Sequence, residues 1–122
     1  MQFHEHKPIY LQIADYIINQ ILKNQLSAGD RIPSVRELAI TAEVTPNTAM
    51  RAFQFLQDKN IIFNKRGIGY FVAPEALNIA KQIKLDEFVN EQLPIFFKQM
   101  EILNLDFDSL KKYYDNFKNT QK

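Results

Sequence analysis

Residues 34–56 read Ser34-Val35-Arg36-Glu37-Leu38-Ala39-Ile40-Thr41-Ala42-Glu43-Val44-Thr45-Pro46-Asn47-Thr48-Ala49-Met50-Arg51-Ala52-Phe53-Gln54-Phe55-Leu56, and they contain two helix-start signals in close succession. Ser34 is followed three residues later by Glu37. This is capping-box spacing, in which each side chain satisfies the other's free backbone N–H. Val35, Leu38 and Ala39 give the following turns an apolar face, so a short helix is predicted over residues 34–42. Thr45-Pro46 repeats the signal, with a hydroxyl at the N-cap and proline at the first helical position, where its missing N–H costs nothing. This next helix turns Ala49, Ala52, Phe53 and Leu56 inward and ends near Asn60. Glu43 to Thr45 leaves a three-residue turn between the two.

Upstream, Ile9, Ile13, Ile17 and Ile21 recur every four residues, with Tyr16 and Leu22 widening the stripe and Gln12 lying off it. That periodicity predicts an amphipathic helix over residues 8–24, closed by the turn cluster Ser27-Ala28-Gly29-Asp30. Downstream, Ile61-Ile62-Phe63 and Tyr70-Phe71-Val72 flank a polar, basic turn, Asn64-Lys65-Arg66-Gly67, and read as a hairpin. Beyond Pro74, apolar positions Ile79, Ile83, Phe88, Leu93, Phe97 and Met100 predict a long helix that Pro94 should kink. Asp106 or Asp108 then caps a last short helix lined by Leu110, Tyr113, Tyr114 and Phe117.

The expected architecture is therefore mainly α. A winged helix-turn-helix of three helices and a two-stranded hairpin wing (residues 1–73) precedes a short two-helix tail (residues 74–122). The second helix of such a pair offers its N-terminus to a DNA major groove, where its free N–H groups and dipole favour phosphate. Thr45, Asn47 and Thr48 are the short polar residues that position calls for, and Arg51 shares a helix face with Asn47. Asparagine can pair bidentately with adenine, and threonine can hydrogen-bond a base or touch a thymine methyl.

Four ordered motifs carry a resemblance to the GntR family of bacterial transcription regulators. They are Pro8-Ile9-Tyr10-Leu11-Gln12-Ile13, Gly29-Asp30-Arg31-Ile32-Pro33-Ser34-Val35-Arg36-Glu37-Leu38-Ala39, Val44-Thr45-Pro46-Asn47-Thr48 with Arg51-Ala52-Phe53, and Arg66-Gly67-Ile68-Gly69-Tyr70-Phe71-Val72. The Pro-Asn-Thr helix start and the short tail resemble the YtrA-type subfamily. The resemblance implies sequence-specific binding of a double-stranded operator by a homodimer acting as a repressor. Ser34, Arg36, Thr45, Asn47, Thr48 and Arg51 would be helix-borne contacts, and Lys65, Arg66, Gly67 and Gly69 wing contacts. Three positions depart from the family pattern: Glu43 replaces a common glycine, Phe53 a frequent tyrosine, and Pro46 a frequent basic residue.

Composition narrows the alternatives. The chain has 122 residues, no cysteine and a net charge of +1. Disulfides, thiolate chemistry and cysteine-bound zinc are excluded, and a reducing, cytoplasmic setting is expected. Residues 31–72 carry six basic and three acidic side chains, a mild local excess. Both histidines lie in His4-Glu5-His6, at a terminus without a rigid surround, so neither a metal site nor a cofactor is expected. With no phosphate-binding glycine loop either, an enzyme is not expected.

The tail is rich in Phe88, Phe96, Phe97, Phe107, Tyr113, Tyr114 and Phe117, more than two helices can bury on themselves. Phe88, Leu93, Phe96, Phe97, Met100, Leu110, Tyr113, Tyr114 and Phe117 are therefore assigned to a two-fold dimer interface, in preference to a membrane contact. So short a tail is expected to leave no room for an independent pocket of several hundred Å3. An unknown small-molecule effector would then sit at the dimer interface or between the tail and the DNA-binding unit. The competing reading is a winged-helix protein-interaction module without specific DNA binding.

Overall fold

The computed structural model describes residues 7–121, and His4, Glu5 and His6 lie outside them. In chain order come α1 (Ile9–Leu22), α2 (Val35–Ala42), α3 (Pro46–Asp58), the strands β1 (Ile62–Lys65) and β2 (Gly69–Val72), and α4 (Ala76–Glu87). A π-helical turn (Phe88–Gln92), α5 (Leu93–Ile102) and α6 (Phe107–Thr120) follow. The chain divides into two compact units, one running to Ile83 and one starting at Lys84.

In the first unit α1 and α2 both pack against α3. The buried set on α1 is Ile13, Ala14, Ile17, Ile18 and Ile21, joined by Gln12. The predicted stripe is thus rotated: Ile9 is 45% exposed at the open first turn, whereas Gln12 is only 8% exposed. Gln12 tolerates burial because its Nε2 donates to the Lys7 carbonyl at 2.7 Å, closing the chain entry onto the helix. Ala49, Ala52, Phe53 and Leu56 of α3 are fully buried, and the Phe53 ring meets Tyr70 edge-on at 4.8 Å.

The hairpin pairs Ile62 with Val72, Phe63 with Phe71, Asn64 with Tyr70 and Lys65 with Gly69. Asn64 and Lys65 therefore belong to β1, and the expected four-residue turn narrows to Arg66-Gly67-Ile68. Gly67 has φ +79°, a left-handed turn conformation that other L-residues adopt at a cost. A further partner lies on the far edge of β2. Gly29 N–H donates to the Val72 carbonyl (2.9 Å), Val72 N–H to Asp30 (2.9 Å) and Ile32 N–H to Tyr70 (3.0 Å), with Arg31 bridging Phe71. The wing is thus braced by the segment that leads into α2.

The first unit extends past the boundary expected at residue 73, because Ala76 and Ala80 of α4 join its core. In the second unit the expected irregularity near Pro94 takes the form of a π-helical turn, and the helical path continues through the proline. Gln92 and Leu93 keep right-handed helical dihedrals, and the π-helical turn ends at Gln92, two residues before the proline. Proline donates no N–H and crowds the carbonyl one turn back, and a locally widened turn relieves both. Asp106 caps α6, its Oδ1 accepting from Ser109 N–H at 2.8 Å.

Candidate nucleic-acid interface

The helix-turn-helix is built by two local locks. At the start of α2 the capping box is complete: Ser34 Oγ accepts from Glu37 N–H and Glu37 Oε1 accepts from Ser34 N–H, both at 3.1 Å. Those hydrogen bonds from Ser34 hold the Glu37 carboxyl below its ordinary pKa, and the nearby Arg31 charge adds to the effect. At the start of α3 Thr45 Oγ1 accepts from Thr48 N–H at 3.2 Å and lies 2.9 Å from Thr48 Oγ1. Glu43 closes α2 in the left-handed region (φ 56°, ψ 46°), a conformation that suits glycine better than glutamate.

This geometry leaves Thr45, Asn47, Met50, Arg51 and Gln54 exposed on α3, opposite its buried alanines, Phe53 and Leu56, while Thr48 is half-buried by its cap contact. Arg36 is exposed on the first turn of α2, with Ser34 half-buried beside it. On the wing, Lys65, Arg66 and Gly67 are exposed and Gly69 half-buried. No residue among the described ones forms a salt bridge with Arg36, Arg51, Lys65 or Arg66.

Two of these cations are seated on aromatic rings. The Arg51 guanidinium lies 4.2 Å from the centre of the Tyr10 ring, tying the start of α1 to the outer face of α3. Lys65 Nζ lies 4.8 Å from the Phe71 ring and 6.0 Å from Phe63, so it sits back on the sheet and leaves Arg66 and Ile68 at the tip. Sequence reading did not single out Arg31 or Met50. Met50 stands three residues after Asn47 on the exposed face, and that spacing would have found it. Arg31 stood within a quoted motif but was given no contact, because its place depends on the pairing with β2.

The residues assigned to a dimer interface all lie in the second unit. Among residues 84–121 none is buried. Leu93, Met100 and Leu110 are half-buried, while Phe88, Phe96, Phe97, Tyr113, Tyr114 and Phe117 are exposed, Phe97 by 48%. Phe96, Phe107, Leu110, Lys111 and Tyr114 line an open apolar cleft of about 470 Å3. The expectation of no such space in the tail is therefore corrected: side chains of α5 and α6 line a groove that they do not fill. No helix among the described residues is long and apolar enough to cross a membrane, and none of their Asp and Glu side chains gather in a group of three that could hold a metal.

The family model for bacterial regulatory proteins of the gntR family matches residues 9–72. The HTH-type transcriptional regulator YhcF of Bacillus subtilis is 43% identical over 104 residues, covering 85% of this chain and 84% of that protein. The HTH-type transcriptional repressor YtrA of the same organism is 36% identical over 86 residues, covering 70% of this chain and 65% of that protein. The crystal structure of a GntR-family regulator from Bacteroides thetaiotaomicron superposes with a TM-score of 0.80 at 40% identity, covering 93% of this chain and 99% of that one.

Proposed function

Because the chain belongs to the GntR family of bacterial transcription regulators and is similar to its YtrA-type members, we propose that it is a sequence-specific DNA-binding repressor working as a homodimer. The observation that carries the reading is the face of α3, where Asn47, Met50, Arg51 and Gln54 stand exposed after a capped, open N-terminus, beside a wing whose cations have no acidic partner among the described residues. In this reading α3 enters the major groove. Thr45, Asn47 and Thr48 face bases and phosphates, with Arg51 held against Tyr10 to do the same. Ser34 and Arg36 engage the backbone at the start of α2, and Lys65, Arg66, Gly67 and Gly69 bring the wing to the minor groove or its phosphates.

The second unit supports the homodimer. A helical segment with no buried residue has no core of its own, and its exposed aromatic rings and apolar groove are what a second copy would cover. Dimerisation places two copies of α3 on a pseudo-palindromic operator, with half-sites about one helical turn apart, roughly 34–36 Å. Occupying a promoter in this way blocks access to it. This is regulation without catalysis, in the cytoplasm, and a small-molecule effector would act by changing how the dimer presents its two recognition helices.

The test is selection of genomic fragments by the purified full chain, followed by sequencing. A two-fold symmetric motif is the expected result. A folded, dimeric protein that enriches no motif would instead favour a winged helix used for protein contacts.

A further inference from the structure

Arg31 lies outside the recognition helix, the start of α2 and the wing tip, and no role has been assigned to it above. Its backbone bridges Phe71, and paired residues in a sheet share a face. Its side chain is therefore on the side of the wing that carries Phe63, Phe71 and Lys65, away from the buried Ile62 and Val72. There it crosses Gly69. A Cβ placed on Gly69 would stand 3.0 Å from Arg31 Nε and 3.4 Å from Nη2, so the absent side chain is what leaves room for the guanidinium. Arg31 is exposed and makes no salt bridge among the described residues, yet its charge reaches Glu37 in the first turn of α2. A planar cation is thus held on the ledge that joins the start of α2 to the wing, with Lys65 on the same face.

We propose that Arg31 is a further DNA-contacting residue, a fork for a backbone phosphate, and that Gly69 is the seat that aims it. The proposal rests on the DNA-binding reading above and adds a contact to it. Guanidinium suits the task because its fixed donors match phosphate oxygens two at a time. The position suits it because the ledge lies between two elements already assigned to the DNA backbone, the start of α2 and the wing.

The test measures affinity of the full chain for sheared genomic duplex DNA across a salt series, for the natural protein and for Arg31→Gln, Arg31→Lys and Arg36→Gln. Each lost phosphate contact makes the slope of log affinity against log salt shallower by about 0.9. Arg31→Gln should show that change with a several-fold loss of affinity and an unaltered melting temperature. Arg31→Lys should keep the slope and lose part of the affinity. A slope unchanged in Arg31→Gln but shallower in Arg36→Gln overturns the assignment of Arg31 alone. A flat salt response in the natural protein overturns the DNA-binding reading itself.

Discussion

The two units of this chain spend their apolar residues in opposite ways. Up to Ala80 the chain hides a continuous set of side chains, from Ile13 through Phe53 and Leu56 to Val72. Among residues 84–121 it hides none, although that stretch carries Phe88, Phe96, Phe97, Phe107 and Phe117. Composition alone does not explain the contrast, since both units are rich in apolar residues. Three helices crossing over a braced hairpin enclose a volume, whereas α5 and α6 present a surface. The first unit is therefore built to stand by itself and to show polar groups outward. The second is built to be completed by something else, and a second copy is the partner we propose.

The largest expected effect tests the first half of this contrast. Phe53 is 0% exposed and packs edge-on against Tyr70. Phe53→Ala should destabilise the first unit by about 3–5 kcal/mol, from lost transfer energy and the cavity left behind. Denaturant unfolding followed by a probe in that unit measures it, and a loss no larger than that of Phe97→Ala would erase the distinction between the regions. Next comes the second half. Phe97→Asp places a charge on the exposed tail surface and should turn the dimer into a monomer in sedimentation, leaving the melting of the first unit in place. Operator affinity should fall by about 100-fold or more, because each recognition helix loses the effective concentration supplied by the other. A variant that stays dimeric removes Phe97 from the interface.

Asn47→Ala sharpens the contrast from the other side. It should leave the dimer intact and weaken discrimination at one base pair of each half-site by about 1–3 kcal/mol. Competition between operator duplexes that differ at single positions reads this directly. Equal losses on every sequence would make Asn47 a backbone contact instead.

What could be read from the sequence follows the same division between local and distant causes. The capping box of Ser34 and Glu37 and the Thr45-Pro46 start are settled within one turn of helix, so spacing alone located them. For α6 spacing left Asp106 and Asp108 as alternatives, and the structure uses Asp106. The inward residues of α3 were legible because alanines leave little choice of face. The burial of Gln12 on α1 was not, because a polar side chain is accepted there with the help of a bond to the Lys7 carbonyl, outside the helix. The bracing of the wing by Gly29 to Ile32 was missed for a related reason: those residues look like a turn until β2 supplies the partner carbonyls and N–H groups. Pro94 gave a true local signal of disruption, but sequence could not say that a widened π-helical turn would absorb it. At the site, spacing pointed to Asn47, Thr48 and Arg51 on α3 and to Lys65 and Arg66 on the wing, but not to Met50 or Gln54, which share the exposed face of α3. The stacking of Arg51 on Tyr10 and the seat of Arg31 on Gly69 depend on contacts between distant segments.

Each unit also carries one capping carboxylate with a lowered pKa, Glu37 held by hydrogen bonds from Ser34 and Asp106 by those from Ser109. A carboxylate whose pKa is depressed in the folded state stabilises that state above its unfolded pKa and loses the effect as pH falls through the folded value. Acidification should therefore weaken the starts of α2 and α6 together. Glu37→Gln, which can keep the box geometry without the charge, should flatten the acid side of the melting profile of the first unit alone. An unchanged profile would mean that the Glu37 charge does not contribute. Asp106→Asn makes the matching test in the tail, where the readout is helicity of the full chain against pH.

The smallest effect concerns the turn between α2 and α3, where the first unit carries a local conflict inside its otherwise self-sufficient fold. Glu43 sits at φ 56°, a region that costs a residue with a Cβ roughly 1–2 kcal/mol. Its N–H donates to the Ile40 carbonyl at 3.2 Å and the Val44 N–H to Ala39 at 3.0 Å, so the left-handed turn is what satisfies the end of α2. Glycine would meet the same geometry without strain but would gain freedom in the unfolded chain. The two effects oppose, and the net expectation for Glu43→Gly is a gain of about 0.5–1 kcal/mol in the first unit, with operator affinity and dimerisation unchanged. If the variant is less stable, the glutamate side chain contributes more than its exposed position suggests. If stability rises while operator affinity falls, the strained turn sets the angle between α2 and α3 for DNA rather than for folding.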